Sequence, residues 1–103
     1  MIKVSVLYPN SEGVHFDIDY YCSSHIPMVQ EKLGTALKDV SVDYGRSGPE
    51  FGSPAPFIAM AHLVFDSAEA FQSSFSPHAE AIMGDIPNFT NAQPSIQISE
   101  VRI

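Results

Sequence analysis

Few residues in this chain are suited to moving protons, and they are unevenly placed. Histidine occurs four times, at 15, 25, 62 and 78, and its ring is the side chain whose charge changes near neutral pH. His25 stands out because Pro27 follows it inside FDIDYYCSSHIPMVQEKLG, a run with the apolar spacing of an amphipathic helix from Phe16 to Leu33. Pro27 lacks an N–H and its ring crowds the carbonyl of Ser23, which costs about 3 kcal/mol in an ordinary helix interior. A bend is expected there. His25 then reads in two compatible ways, as a ring that satisfies the carbonyl freed by Pro27 or as a proton donor or acceptor in a pocket. Helical spacing sets Tyr21, His25 and Met28 on adjoining rows of one face, so Tyr21 and Met28 are expected to wall that pocket.

The other candidates are spread along the chain. His62 lies in FIAMAHLVFD, a strand pattern apolar on both faces, and it approaches His25 or a partner surface according to the face it takes. Tyr44, at the end of an alternating stretch, offers a phenol that can donate to a bound molecule. His78 follows Pro77 at the start of a helical turn and His15 sits in a polar turn, so both are expected at the surface. Metal binding through His25, His62, His78 and Glu80 has no local ligand spacing behind it, and no metal site is expected. There is no phosphate-binding glycine motif and no Gly-x-Ser-x-Gly elbow, so no cofactor is expected and a serine hydrolase is unsupported.

These side chains are positioned by a short series of elements. Ile2, Val4, Val6 and Tyr8 alternate with Lys3, Ser5 and Leu7, the period of a strand, which PNSEG ends. The long helix opens with Asp17 as its cap and stops at Gly34. Val40, Val42 and Tyr44 against Asp39, Ser41 and Asp43 give a second strand with one wet face. GRSGPEFGSPAP, residues 45 to 56, is rich in glycine and proline and forms a long loop. After the doubly apolar strand, Asp66 and Glu69 suit a capping box for a helix carrying Phe71 and Phe75, and Ser76 and Pro77 open a further turn. In PSIQISEVRI the apolar phase shifts between Ile98 and Val101, and a bulge near Ser99 or Glu100 is expected.

The order strand, helix, strand, strand, helix, strand is that of an α+β, ferredoxin-like βαββαβ domain: a four-stranded antiparallel sheet with helices on one face. At 103 residues the chain is expected to be a single domain spanning 1–103. Apolar residues are 45% and charged residues 17%, which is much apolar surface for one small core to hide. With the doubly apolar third strand, this predicts a homodimer through the open sheet face. Twelve acidic and five scattered basic residues, net −7, argue against nucleic acid as a partner. One cysteine, Cys22, no bilayer-length apolar run and an alternating N-terminus predict a cytoplasmic protein without a membrane segment.

The run FDIDYYCSSHIPMVQEKLG resembles the helix signature of the EthD family, through Phe16, Asp17, Tyr20, Tyr21, His25 and Pro27, and departs from it at Cys22, Ser23 and Ser24. GSPAPFIAMAHLVFDSAEAF and HAEAIMGDIPNF are similar to bacterial members, so the likeness covers essentially the whole chain. The resemblance implies a dimeric α+β barrel, whose relatives include monooxygenases, isomerases and cyclases, and a family named for an ethyl tert-butyl ether degradation cluster. The expected function is binding of a small apolar or aromatic metabolite, with a cofactor-independent proton-transfer or oxidative step in which His25 is acid or base and Tyr21, Tyr44, His62 and Met28 hold the substrate. Whether such a protein is an oxidoreductase, an isomerase or cyclase, or a non-catalytic auxiliary of a degradative or biosynthetic pathway is left open by the sequence.

Overall fold

Strand β1 (Ile2–Pro9) forms where branched and aromatic residues recur at every second position, and that alternation turns Ile2, Val4, Val6 and Tyr8 to one side of a sheet. The computed structural model describes all 103 residues. β1 lies in the middle, antiparallel to β3 (Phe57–Phe65) on one side and to β4 (Ser95–Glu100) on the other, and β2 (Asp39–Tyr44) pairs with the outer edge of β3. The sheet order is β2-β3-β1-β4. Val4 faces Leu63 and Ile98, and Leu63 also faces Val40, so one face of the sheet carries these apolar side chains in register.

That face is covered by helices. The first helical stretch comprises α1 (Ile18–Tyr20), a π-helical turn (Tyr21–His25) and α2 (Ile26–Leu33). The second comprises α3 (Ala68–Phe75), a 3₁₀ turn at Ser76–His78 that takes Pro77 in its first positions, and α4 (Ala79–Gly84). Asp17 caps α1 through a hydrogen bond from the Tyr20 N–H, and Gly34 ends α2 with φ +59°, a conformation that glycine adopts without strain. The N-cap of α3 is Ser67, which accepts from the Ala70 N–H at 3.0 Å, one residue later than the capping box at Asp66 predicts. The fold is α+β and ferredoxin-like, as the element order predicts.

Two expectations are corrected. The last strand carries no bulge: its register with β1 is continuous from Ser95 to Glu100, and the apolar phase shifts because the strand ends there. The irregularity lies in β1 instead, between Tyr8 and Pro9. Nor does Pro27 sit in a plain bent α-helix. The Ile26 N–H reaches back to the Tyr21 carbonyl, a five-residue step, so the helix widens for one turn before Pro27 enters the first turn of a new α segment, where its missing donor is tolerated.

Alanine is the key to how the layers approach. Ala59 and Ala61 are wholly buried on β3, and their small side chains leave room for larger neighbours. Phe65, Phe89, Tyr8 and Tyr21 are the largest fully buried side chains. Tyr8, Phe16, Tyr21 and Phe89 meet edge to face, with ring centroids 4.8–5.9 Å apart, a geometry worth about 0.5–1.5 kcal/mol per pair beyond the area buried. The opposite sheet face carries Leu7, Ile58, Met60, His62 and Val64, all only half-buried, with no layer above them.

Candidate functional site

The π-helical turn decides what the first helix shows to the core. In a regular α-helix, adjacent residues point about 100° apart, yet His25 and Ile26 are both buried, at 4% and 8% exposure. The additional residue in the wide turn lets both face inward. Tyr21 and His25 stack at 5.3 Å with their planes 15° apart, and Phe89 leans on the imidazole at 4.7 Å. The ring is thereby held on two sides by aromatic carbon.

One polar residue meets it there. Asp85 follows α4 and precedes the 3₁₀ turn Ile86–Asn88, and its Oδ2 lies 2.8 Å from His25 Nδ1. Its other oxygen accepts from the Tyr20 hydroxyl at 2.8 Å and from the Asn88 side-chain amide at 2.9 Å. The segment is anchored to the helix start: the Asp17 N–H donates to the Phe89 carbonyl at 2.8 Å, and Thr90 Oγ1 to that of His15 at 2.6 Å. The carboxylate is thus held from three sides and bound to the helix it serves.

The electrostatics follow from this arrangement. Burial holds the His25 pKa below its ordinary 6.5, although Asp85 pulls the other way. For Asp85, burial raises the pKa, but the hydrogen bonds from Asn88, His25 and Tyr20 outweigh it, and the carboxyl stays below its ordinary 3.8. Near neutral pH the pair is therefore a neutral imidazole beside a carboxylate. An ionised carboxylate can only accept, so Nδ1 carries the ring proton and Nε2 is left with a lone pair. Tyr21 and Tyr8 are held above the ordinary tyrosine range, foremost by burial, and each phenol has the other as its neighbour.

Beside the ring is a cavity of about 190 Å³. Val4, Val6 and Ile96 form its floor on the sheet, Ile26, Val29 and Leu33 one wall, and Phe71, Phe75 and Ile82 the other. His25 lines it together with Tyr8 and Tyr21, and these three supply its only polar side-chain atoms apart from the Met83 sulfur. Nε2 makes no hydrogen bond, and no buried side-chain nitrogen or oxygen is left both enclosed and unpartnered, so this nitrogen opens on the cavity. Met83 and Ile96, exposed by 41% and 51%, mark the mouth at the β4 edge.

The candidates named from sequence separate accordingly. His25 and Tyr21 meet at the cavity. His25 does not satisfy the Ser23 carbonyl, because its Nδ1 is engaged by Asp85. Met28 is half-buried but lies off the cavity wall, since past the widened turn Ile26, Val29 and Leu33 take the inward positions. Tyr44 pairs with Ala59 at the sheet edge, half-exposed and away from the cavity. His62 takes the uncovered sheet face, where its Nδ1 lies 2.8 Å from Ser5 Oγ and its Nε2 3.7 Å from Asp43, so the sheet separates it from His25. His15 is exposed and His78 half-buried, and no group of three or more His, Cys, Asp or Glu side chains is placed to hold a metal ion. Asp85 escaped the sequence reading because it lies 60 residues from its partner and carries no periodic signal; its position just ahead of Ile86–Pro87 at a helix end is the one local hint.

A ferredoxin-like α+β domain with a histidine-lined cavity between its layers is the class that fold and site define. The EthD domain model matches residues 15–93, and the chain belongs to the EthD family. An uncharacterised 11.0 kDa protein of Rhodococcus erythropolis is 33% identical over 97 residues, covering 88% of this chain and 85% of that one. The crystal structure of an EthD-like protein of Ralstonia eutropha JMP134 is similar at 45% identity and a TM-score of 0.95, covering 99% of this chain and 92% of the other. A dimeric protein of unknown function and ferredoxin-like fold from Bacteroides fragilis NCTC 9343 shares the fold, at 10% identity, a TM-score of 0.60 and coverage of 97% and 95%. No helix is long and apolar enough to cross a membrane.

Proposed function

We propose that this protein binds a small apolar molecule in the cavity between helices and sheet and moves a proton on it, with His25 Nε2 as general base and Tyr21 as part of the wall. Asp85 is the positioning residue that fixes the tautomer. The observation that carries this is the 2.8 Å bond between Asp85 and His25 Nδ1, which leaves the opposite nitrogen free at an apolar cavity. A buried base with its pKa held below 6.5 is already deprotonated at neutral pH, and apolar walls strengthen each electrostatic contact made inside them. Isomerase- or cyclase-like chemistry is the class such a base serves directly; an oxidative step would use the same base to deprotonate the substrate first. A homodimer through the open sheet face belongs to this reading, and a reducing compartment such as the cytoplasm suits the exposed thiol of Cys22.

The alternative is a non-catalytic auxiliary that only binds a metabolite, and the scarcity of polar atoms on the cavity wall favours it. Deuterium uptake separates the two. Cyclic ketones and 1,3-dicarbonyls incubated with the protein in D₂O should exchange their acidic protons faster than in buffer, and His25→Ala should lose that acceleration, about 10²–10⁴-fold for a general base. Exchange that is absent, or unchanged in His25→Ala, removes the catalytic role and leaves the binding one.

A further inference from the structure

We infer that the cavity is built for a neutral, single-ring aromatic molecule bearing one hydroxyl, a phenol in chemical class, whose O–H is donated to His25 Nε2. This names the ligand of the proposed proton-transfer site, and it rests on Nε2 being the free acceptor there.

Volume sets the size. An apolar cavity of about 150 Å³ holds a benzene molecule, and the 190 Å³ here accommodates one ring with a few further atoms, whereas a second fused ring would have to extend past Met83 and Ile96 at the mouth. The cavity lies between a sheet floor and two helices, and Phe71 and Phe75, stacked at 5.2 Å, present aromatic surface to it, which favours a ring over an aliphatic chain of equal volume. Charge is excluded in both signs. No lysine or arginine lines the cavity, so a carboxylate or phosphate would be desolvated without a partner. The nearest carboxylate, on Asp85, is already engaged by three donors behind the imidazole, so a cation finds no free counter-charge either.

The polarity of Nε2 sets the functional group. With Nδ1 committed to Asp85, Nε2 accepts and does not donate, while the hydroxyls of Tyr8 and Tyr21, the other polar groups on the wall, can each donate or accept. A ligand group that meets Nε2 must therefore bring a donor. An ether or ketone oxygen placed at Nε2 would set two lone pairs against each other, whereas a phenol hydroxyl forms the bond and holds its acidic proton against the base. Should that proton move, the phenol O–H bond breaks, the N–H bond forms at Nε2, and the electron pair stays on the phenolate oxygen, with no oxidant or reductant involved.

The test is a titration of the wild-type protein with phenol, toluene, anisole, benzoate and 2-naphthol, followed by amide shifts of Tyr21, Ile82 and Met83. Phenol should bind about fivefold to tenfold more tightly than toluene or anisole, the worth of one net hydrogen bond, and benzoate and 2-naphthol should bind at least about tenfold more weakly than phenol. His25→Phe keeps a ring in place without the acceptor, and phenol should lose its advantage while toluene still binds. Should that variant fail to fold, Asp85→Asn is the second arm: its amide can donate to Nδ1, turning Nε2 into a donor, and anisole should then bind as well as phenol or better. Phenol no tighter than toluene in the wild type, 2-naphthol as tight as phenol, or no binding by any probe would each overturn the inference. A phenol preference without deuterium exchange would sink only the catalytic proposal, and exchange without that preference only the ligand class.

Discussion

The carboxylate of Asp85 decides which nitrogen of His25 faces the cavity, so its replacement should act on the imidazole before it acts on anything else. In Asp85→Asn the negative charge that raises the His25 pKa is gone while desolvation remains, and His25 should titrate at still lower pH than in the wild type. Nitrogen-15 spectra of the ring should show the Nδ1–H tautomer in the wild type and lose it in the variant; an unchanged tautomer would remove Asp85 from its positioning role. The variant should also cost about 1.5–3 kcal/mol of stability, the range for hydrogen bonds to a charged group. The pH dependence of stability has a definite sign. His25 is depressed below 6.5 in the folded state, so as pH falls below 6.5 the unfolded chain takes up the proton first and stability declines down to the folded value. Above that window His25 contributes no slope. Asp85, depressed below 3.8, adds a second loss as pH falls through its own folded value. Denaturant midpoints measured from pH 7.5 to 4.5 should therefore drop in the wild type and drop less in His25→Phe.

At the scale of elements, the π-helical turn is what makes His25 a cavity residue. Deleting Ser24, which is exposed in that turn, should let the stretch close into continuous α-helix and rotate the two sides of the turn by about 100° relative to one another. The sheet and the second helical stretch do not depend on that rotation, so the deletion should keep the far-ultraviolet circular dichroism of the wild type. Circular dichroism tests the fold, and the ring tautomer of His25 tests the site: retention of the Asp85 bond after the deletion would show that the widened turn is not needed. This turn also marks where sequence reasoning stops. Alternation in β1 and β3, the Asp17 cap and the Gly34 stop were legible because each depends on neighbours a few residues away, and they gave the element order and hence the fold. Pro27 announced an irregular helix at His25 but not its form, since bend and π turn both accommodate a missing donor. Asp85 and Phe89 were not legible as partners of His25, because a contact across 60 residues or more leaves no trace in local periodicity. Tyr44 and His62 are candidates by residue type and Met28 by regular helical spacing, and the side each takes is set by strand register and by the phase change at the π turn, which composition and regular periodicity do not carry.

The whole molecule is a slab, 40 × 33 × 19 Å, with a radius of gyration of 14.0 Å, against about 13 Å for a compact domain of this size. Its thin dimension is that of one sheet and one helical layer. A sheet whose central strand is apolar on both faces requires cover on both, and here Leu7, Ile58, Met60 and Val64 lie half-exposed in the middle of the uncovered one. A second copy, laid sheet to sheet about a two-fold axis, would supply the missing layer with the same residues facing themselves. His62 and Ser5, hydrogen-bonded to each other at 2.8 Å, would enter such an interface as a satisfied polar pair rather than two orphaned groups. Light scattering at micromolar concentration should then give twice the chain mass of 11.3 kDa. Leu7→Lys, which places a charge on that face opposite Met60 and Ser95 with no carboxylate across from it, should halve that mass. The cavity opens on the other side of the sheet, so the monomeric variant should still bind the small rings that the wild type binds, with the loss confined to assembly. A wild-type protein that scatters as a monomer, or a Leu7→Lys variant that remains a dimer, would require a different surface to bring the copies together.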